Sequence, residues 1–243
     1  MSAAPSEAQA QAKHLFRTAR TGALATLEQA SGAPLTTLVS VASDYDGAPL
    51  FLLSTLAQHT KNLAGDARGS LLLTSQAARG DPLNRPRLTV GGRILARPDP
   101  TARARFLARN PKSKLYASFA DFSMFRLEIS AVHFNGGFGR AAALTPDDIL
   151  TGLANADALI AAEAALLAQV NARHGGDLAM LAGDKQGAKR RRWRAIGLDP
   201  DGLDLVAGAG AARVSFAAPV STPQAWRQAL EAFLANGAGP KTL

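Results

Sequence analysis

The sequence predicts an α+β protein in which a small closed β-barrel is followed by a compact α+β unit. Apolar strands recur at short spacing between residues 23 and 134, with helices only as insertions, which is typical of a small barrel. The composition then shifts after Thr145-Pro146-Asp147-Asp148 to alanine- and leucine-rich helical segments. These two observations place a barrel domain at residues 1–148 and a second domain at 149–243, near the lower size range for a domain.

The barrel begins with a helix over 7–19, because Ala12, Leu15, Phe16 and Ala19 recur at helical spacing. Gly22 ends that helix. The strands expected after it are 23–27, 35–42, 50–53, 69–75, 87–96 and 124–134, with turns at 31–34 and 44–47, a loop at 80–86, and helices beginning at 98–101 and covering 113–120. Gly91-Gly92 interrupts the strand over 87–96 and indicates a bulge or the close approach of a ligand.

The second domain is predicted from helical periodicity followed by strands. Residues 156–171 form one helix, and a second begins at 174–178. Strands are expected at 192–198, 203–206 and 213–216, with the turn Asp199-Pro200-Asp201-Gly202 between the first two. An amphipathic helix over 223–235 completes this unit.

Composition narrows the class of protein. A hydrophobic content of 47% with 19% charged residues is ordinary for a globular chain of 243 residues. The sequence contains no cysteine, which excludes disulfides, thiolate metal sites and cysteine nucleophiles. Residues 1–13 lack the apolar core of a signal peptide, and no apolar run reaches transmembrane length. We therefore expect a cytoplasmic protein that is not inserted in a membrane.

The net charge of +8 raises the question of an anionic partner. Arginine is spread along the chain except in the run Lys189-Arg190-Arg191-Arg192-Trp193-Arg194, and few aromatic residues lie among the cations. A single-strand binder would need such aromatic platforms, so nucleic acid is not the expected partner. A nucleotide, or a porphyrin with propionates, uses the same charge.

Familiar catalytic and metal-binding patterns are missing from the sequence. The four histidines, His14, His59, His133 and His174, are far apart, and none has metal-ligand spacing. His133, between Val132 and Phe134, is expected to be a hydrogen-bonded structural residue. The glycines of Gly136-Gly137-Phe138-Gly139 do not form a dinucleotide fingerprint, and a sharp turn with Phe138 beneath it is the favoured interpretation. Catalytic residues stay unassigned.

The strongest candidate site is the segment from Leu50 to Leu63. An apolar strand ends at Ser54 and Thr55, whose hydroxyls can cap the following helix. His59, Thr60, Lys61 and Asn62 then place four polar side chains on little more than one turn. A strand end, a helix start and a cation together suit a phosphate, although a solvated helix surface fits the same pattern equally well. Arg87 could add a planar fork for a phosphate or lie on an edge strand as a surface cation. A phosphate-binding barrel without a nucleophile indicates that a bound cofactor supplies the chemistry.

These segments together resemble a known family. Thr37-Leu38-Val39-Ser40, Leu53 to Leu63 and Pro86-Arg87-Leu88-Thr89-Val90-Gly91-Gly92 resemble the FMN-binding split barrels related to pyridoxamine 5′-phosphate oxidase. Gly136 to Ala141 is similar to an element of the branch that includes haem-utilisation proteins. The tail, with His174 and Gly197 to Leu205, looks like the small α/β domain often fused to that branch.

The resemblance implies a split barrel that forms a homodimer with FMN at the subunit interface. By position, Thr37, Leu38 and Val39 would line the isoalloxazine ring. His59, Thr60 and Lys61 fall where the family binds phosphate, with Ser54 and Thr55 at the end of the preceding strand. Arg87 occupies the position of a ring-contacting glutamine.

Three departures limit what the resemblance implies. The oxidases carry an arginine–lysine pair where this chain has His59 and Thr60, and their substrate motif for pyridoxal phosphate has no counterpart here. Haem-degrading relatives use a histidine from a C-terminal segment as iron ligand, and this sequence has none after His174. The leading hypothesis is an FMN-dependent oxidoreductase acting on a small molecule. The alternatives are a haem-binding or haem-degrading protein and a non-catalytic dimer with a vestigial pocket.

Overall fold

The computed structural model describes residues 6–75, 81–137, 140–183 and 192–235. The chain divides into two compact units, Met1–Leu150 and Thr151–Leu243. The boundary expected from the sequence, after residue 148, falls inside the short helix Pro146–Ile149. Some predicted features lie outside the described residues: Gly80 of the expected loop, Phe138 and Gly139 of the expected sharp turn, and Lys189–Arg191 of the basic run.

The first unit is a single antiparallel sheet with helices inserted between its strands. Its strands are β1 (Thr21–Leu27), β2 (Pro34–Ser40), β3 (Ala42–Ser43), β4 (Pro49–Ser54), β5 (Arg68–Thr74), β6 (Arg87–Ala96), β7 (Phe122–Asn135) and β8 (Ala141–Leu144). Its helices are α1 (Glu7–Thr18), α2 (Gln58–Gly65), α3 (Pro100–Arg109) and α4 (Pro146–Ile149), with 3₁₀ turns at Pro82–Asn84 and Pro111–Leu115. The α+β class and the barrel domain are confirmed.

The barrel is split rather than closed. The strands are ordered β2-β1-β5-β6-β7-β4-β3, and β8 pairs with β7. The sheet curves until β2 contacts β4, but no backbone ladder joins them in the strand order. The closed barrel expected from strand spacing is therefore wrong in this detail, whereas the split barrel implied by the family resemblance is confirmed. The spacing of apolar segments in the sequence predicts the number of strands. Whether the barrel closes depends on which strands pair, and the spacing does not determine that.

The core fills the concave side of the sheet, and α1 and α2 contribute to it. Leu24, Phe51, Leu71, Val90 and Leu127 are fully buried there. Strand β4 is buried on both faces, because its Leu50 and Leu52 pack outward against Ala102 and Phe106 of α3. This double burial explains why β4 appears in the sequence as a continuous apolar run rather than an alternating one.

Turns and bulges follow the chemistry of their residues. Asp44 to Gly47 joins β3 to β4, with Gly47 at a φ of 97° where a side chain would be strained. Arg126 of β7 binds the carboxylates of Asp44 and Asp46, a contact that sequence spacing does not reveal. The expected bulge is confirmed, because the β6–β7 register shifts between Gly91 and Gly92.

The helix expected over 113–120 is replaced by tight turns. A 3₁₀ segment covers Pro111–Leu115, and the amides of Tyr116 and Phe119 donate to carbonyls three residues earlier. The Tyr116 ring stacks against Phe122 at 4.8 Å, and its hydroxyl lies 2.8 Å from Ser113 Oγ. These contacts hold Tyr116 in a tight turn, where the sequence predicts an α-helix.

The second unit is a three-stranded antiparallel sheet with helices. Its elements are α5 (Asp157–Ala161), α6 (Glu163–Arg173), α7 (Leu178–Leu181), β9 (Arg194–Asp199), β10 (Gly202–Ala207), β11 (Gly210–Ser215) and α8 (Pro223–Ala235). The strand order is β11-β10-β9, and Trp226 of α8 lies fully buried in the core of the unit. The expected turn at Asp199 to Gly202 is confirmed as the β9–β10 hairpin. The single helix expected over 156–171 is instead two, divided at Ala162.

A buried ion cluster links all three strands of this sheet. Arg213 of β11 donates both terminal nitrogens to Asp199 of β9, at 2.7 and 2.9 Å, and one of them to Asp204 of β10 at 2.8 Å. Burial by itself would lower the pKa of Arg213, but the charges and hydrogen bonds of the two carboxylates raise it above its ordinary value. The guanidinium therefore stays charged inside the unit.

Candidate functional site

The candidate site lies where β4 ends and α2 begins. Helix α2 starts at Gln58 with Ala57 as its N-cap, and no side chain caps its free amides. The first amides of a helix carry partial positive charge, so an uncapped end attracts an anion. Helix α2 packs against β1 and β2 across the open side of the barrel.

Ser54 does not cap the helix, in contrast to the expectation. Its hydroxyl accepts the Leu56 amide at 3.1 Å and donates to the carboxylate of Asp121. The Thr55 amide donates to the Asp121 carbonyl at 2.8 Å, and the Thr55 side chain is exposed. The helix begins too far along the chain for a hydroxyl at position 54 to reach its amides, so Ser54 holds the preceding turn instead.

His59 faces β2 from the first turn of α2. Its Nδ1 lies 3.0 Å from the Thr37 hydroxyl, a contact that joins two of the residues expected at the site. The other ring nitrogen, Nε2, is buried and has no hydrogen-bond partner among the described residues. Burial lowers the pKa of His59 from its ordinary value, so the ring is neutral at neutral pH.

Thr60 provides a second unsatisfied polar atom. Its side chain is buried, and Oγ1 makes no hydrogen bond within the part of the chain that the structure describes. An unmade hydrogen bond at a buried hydroxyl costs about 1–3 kcal/mol. Buried polar groups without partners are rare in native proteins. Two on consecutive residues, at an uncapped helix end, indicate a ligand site.

The four polar residues at 59–62 do not share one face of α2. Lys61 is exposed, whereas Asn62 is buried and donates to Thr26 Oγ1 of β1 at 3.1 Å. Asn62 is therefore a structural residue that fixes the helix to the barrel. Lys61 remains available as the cation of the expected anion site.

The remaining predicted residues are divided between different surfaces. Thr37 and Val39 face the barrel interior, while Leu38 points outward and is 78% exposed. Arg87, at the start of β6, donates to the Leu83 carbonyl at 2.6 Å and so binds its own preceding loop. The structure thus brings Thr37, His59, Thr60 and Lys61 together, and it shows no contact between Arg87 and this group.

Two exposed apolar side chains lie in the turns at the end of β4 and the start of β7, beside the candidate site. Leu56, in the turn before α2, is 74% exposed, and Phe119, in the turn before β7, is 57% exposed. Ser54 pairs with Phe122 where β4 and β7 meet, which holds both turns at the same end of the two strands. Donors for an anion therefore adjoin an apolar surface.

His133 does not have the structural role expected for it. It is exposed on the outer face of β7, and no hydrogen bond to its ring is present within residues 6–75, 81–137, 140–183 and 192–235. Alternation along β7 explains this position, because Val132 and Phe134 face the core.

The partly buried His59 leads to a testable pH dependence. In the unfolded chain the imidazole takes up a proton near its ordinary pKa of about 6.5. The folded protein resists that proton until a lower pH, so the unfolded state binds more protons in this window and stability falls with falling pH. We expect His59→Gln to reduce the loss of thermal stability between neutral pH and about pH 5.

The measurement is the thermal unfolding midpoint at several pH values for wild type and variant. Lys61→Gln, which replaces an exposed side chain of the same helix, is the matched control and should leave the pH dependence unchanged. If the two variants have the same pH dependence as wild type, the low pKa of His59 is wrong.

The arrangement suits binding of an anion. The described residues contain no cluster of three or more histidine, cysteine or acidic side chains that could hold a metal ion. Within the same residues, no helix is both long and apolar enough to span a membrane. A split barrel with an uncapped helix end, two buried polar atoms without partners and a lysine is typical of a cofactor- or ligand-binding barrel.

Comparison with known proteins identifies the family. The profile described as "CREG, beta-barrel" matches residues 3–150. The chain belongs to the CREG β-barrel family. The expected relationship to split barrels of the pyridoxamine 5′-phosphate oxidase type, in the branch with haem-utilisation proteins, is confirmed.

Individual relatives extend the likeness to the second unit. A protein of unknown function from Agrobacterium tumefaciens is 38% identical, with a TM-score of 0.82 over 96% of each chain. A haem-binding protein from Mycobacterium smegmatis is 30% identical, with a TM-score of 0.56, over 97% of this chain and 99% of that chain. The chloroplastic haem oxygenase HOZ of Arabidopsis thaliana is 35% identical over 126 residues, which are 49% of this chain and 37% of that protein. The matched segment therefore spans little more than a third of the plant protein.

Proposed function

We propose that the protein binds haem and that its α2 site holds the haem carboxylates. The observation that carries this proposal is a pair of buried polar atoms without hydrogen-bond partners among the described residues, His59 Nε2 and Thr60 Oγ1, at an uncapped helix start. The haem-binding relative, which covers almost the whole chain, and the haem oxygenase relative support this choice of ligand. Haem supplies the redox chemistry when bound, and the chain supplies binding and orientation.

The chemistry of the site fits an anionic ring. Charge-assisted hydrogen bonds from Lys61, Thr60 and the helix amides would neutralise propionates, and the exposed Leu56 and Phe119 would cover apolar ring surface. Because His59 Nε2 and Thr60 Oγ1 are shielded from solvent, their side chains must rotate to reach a ligand. Rotation of Thr60 costs little, since its Oγ1 gives up no existing hydrogen bond. Rotation of the His59 ring would break the contact between Nδ1 and the Thr37 hydroxyl, and the ligand must compensate for that loss.

FMN is the second candidate, in a flavoprotein that oxidises or reduces a small molecule. A single helix N-terminus with a threonine and a lysine suits one phosphate group at least as well as a carboxylate. Under this proposal the backbone of Thr37, Leu38 and Val39 lies along the ring, while the Leu38 side chain points away from those of Thr37 and Val39. Purified protein distinguishes the two ligands: a Soret band that shifts on titration with haemin supports haem, and a bound flavin absorption band supports FMN.

Variants at residues 60 and 61 test the site itself. Thr60→Val removes a hydroxyl that has no partner in the free protein, so we expect stability to rise by about 1 kcal/mol while ligand affinity falls. Thr60→Val combined with Lys61→Ala should weaken ligand binding by about 1–2 kcal/mol, roughly five- to thirtyfold.

Equilibrium titration and denaturant unfolding give the two quantities. Arg173→Ala removes an exposed cation from α6 in the second unit and serves as the control for a general charge effect. Unchanged haemin and FMN affinity in the double variant would show that the ligand binds elsewhere.

We also propose that the protein is a homodimer that buries the outer face of the sheet. One row of this face is Leu38, Ala23, Leu72, Thr89, His133 and Ala143, paired in register across six strands. The next row of this face has small side chains, which allow another sheet face to approach closely: Thr36, Ala25, Ser70, Gly91 and Ala131. An alanine side chain at Gly91 would meet nothing nearer than Ala131 Cβ at 3.8 Å. Contacts within one chain therefore do not explain why the residue at this position is so small, whereas close packing against a second chain would.

Leu38→Glu should convert the dimer to a monomer, because the contact between the two sheets would bury a carboxylate without a partner. Light scattering during size-exclusion chromatography measures the mass. Leu83→Glu places the same charge on an exposed leucine of the Pro82–Asn84 turn and should leave the dimer intact. An unchanged mass for Leu38→Glu would exclude this face.

A further inference from the structure

We propose that Asp121 is a positioning residue of the anion site: it fixes the turn that begins α2, and its charge limits how tightly the site holds anions. This inference rests on the α2 site of the proposed function. Asp121 does not belong to the segment that the site motif covers, and it reaches that segment only through the fold.

Asp121 binds the β4–α2 turn at two points. Its carboxylate accepts the Ser54 hydroxyl, and its carbonyl accepts the Thr55 amide at 2.8 Å. These contacts hold the two consecutive residues that leave β4. A side chain placed 67 residues later in the sequence than Ser54 thereby sets the direction in which the chain leaves the sheet.

The constraint passes from Ser54 to the helix. With its proton directed to Asp121, the Ser54 hydroxyl presents a lone pair to the Leu56 amide at 3.1 Å. The Ser54 carbonyl accepts the Ala57 amide at 3.1 Å, and Ala57 is the N-cap of α2. Every residue of the turn is thus tied to Ser54 or Asp121. Loss of the carboxylate frees the hydroxyl to rotate, which removes the fixed acceptor for Leu56.

The two contributions of Asp121 have opposite effects on the affinity for an anion: its hydrogen bonds increase the affinity by fixing the turn, and its negative charge decreases it. The carboxylate is one hydroxyl away from the turn that leads into the uncapped helix end. A negative charge there repels an anionic ligand, by an amount that salt screens. Asparagine separates the two contributions, because its carbonyl oxygen still accepts the Ser54 hydroxyl but carries no charge.

Three variants of the full-length protein, Asp121→Asn, Asp121→Ala and Ser54→Ala, test the geometry first. Hydrogen–deuterium exchange of the ligand-free protein is followed in the peptide covering residues 54–58. We expect exchange to accelerate about tenfold in Asp121→Ala and in Ser54→Ala, to accelerate no further when both are combined, and to stay within about twofold of wild type in Asp121→Asn. Wild-type exchange in Asp121→Ala, or additive effects in the double variant, would overturn the positioning role.

The same proteins are then titrated with haemin and with haemin dimethyl ester, whose carboxylates are blocked. Asp121→Ala should weaken haemin binding about fivefold, whereas Asp121→Asn should strengthen it about twofold at low salt and not at high salt. Neither substitution should change the affinity for the ester by as much. Equal loss in Asp121→Asn and Asp121→Ala, or equal effects on both ligands, would contradict the proposed division between geometry and charge.

The exchange and titration experiments separate this inference from the haem proposal. If wild-type protein binds neither haemin nor FMN, the proposed function fails, and titration with pyrophosphate then measures the anion site directly. The exchange result for residues 54–58 stands in either case. If exchange and pyrophosphate affinity are both unchanged in Asp121→Ala, Asp121 has no role at the site.

Discussion

Replacing Arg213 by methionine is expected to destabilise the second unit by about 3–5 kcal/mol. The guanidinium is buried and holds the carboxylates of Asp199 and Asp204, which are themselves almost fully buried. Methionine fills a similar volume but leaves two like charges in the core without their partner. Since the three residues lie on three different strands, the whole sheet β11-β10-β9 loses its electrostatic link.

Tryptophan fluorescence measures this effect selectively. The chain has two tryptophans, Trp193 and Trp226, and both are in the second unit. Denaturant unfolding followed by their emission should therefore show a lower midpoint for Arg213→Met. Arg227→Met, on the exposed face of α8, is the matched control and should stay within about 0.5 kcal/mol of wild type.

The cause of the loss can be tested by removing one of the stranded charges. Adding Asp204→Asn to Arg213→Met should restore part of the stability, because one fewer uncompensated carboxylate is buried. If Arg213→Met unfolds at the wild-type midpoint, or if the added substitution lowers stability further, uncompensated charge is not the cause.

Gly92→Ala is expected to destabilise the barrel by about 3 kcal/mol. A Cβ at this position would lie 1.9 Å from the Glu128 carbonyl oxygen of β7. That neighbour is backbone in a paired strand, so relief requires β6 and β7 to separate at the bulge rather than one side chain to rotate.

The adjacent glycine provides the control. A Cβ at Gly91 meets only ordinary contacts, the nearest at 3.8 Å, so Gly91→Ala should change stability by no more than about 1 kcal/mol. Far-ultraviolet circular dichroism during thermal unfolding measures both variants. Comparable midpoints for Gly92→Ala and Gly91→Ala would show that the bulge adapts to a side chain.

Local patterns in the sequence identify the elements whose chemistry is local. The strand Arg87–Ala96 and the helix Pro223–Ala235 are observed with their expected bounds, because alternation and helical periodicity reflect burial of one face. The hairpin at Asp199 to Gly202 follows from turn residues that suit few other conformations. The helix expected over 113–120 is replaced by a 3₁₀ segment and turns, in which the Tyr116 ring packs at a tilt against Phe122 from the following strand.

The candidate site is only partly predictable for the same reason. The segment of Thr60 and Lys61 is recognisable from its strand end, helix start and cation. The N-cap at Ala57, the bond between His59 and Thr37 and the role of Asn62 depend on where α2 meets β1 and β2. Arg87 matches the family pattern in position, but its guanidinium binds the preceding loop.

The sequence by itself determined the α+β class, the family and the segment after β4 where we propose an anion site, because each depends on residue patterns within short segments. The tertiary structure decided which donors of that site lack partners, that Asp121 holds its turn, and that Arg213 links three strands. These properties depend on atoms that are far apart in the chain. Their hydrogen bonds and desolvation energies arise only when the sheet brings those atoms together.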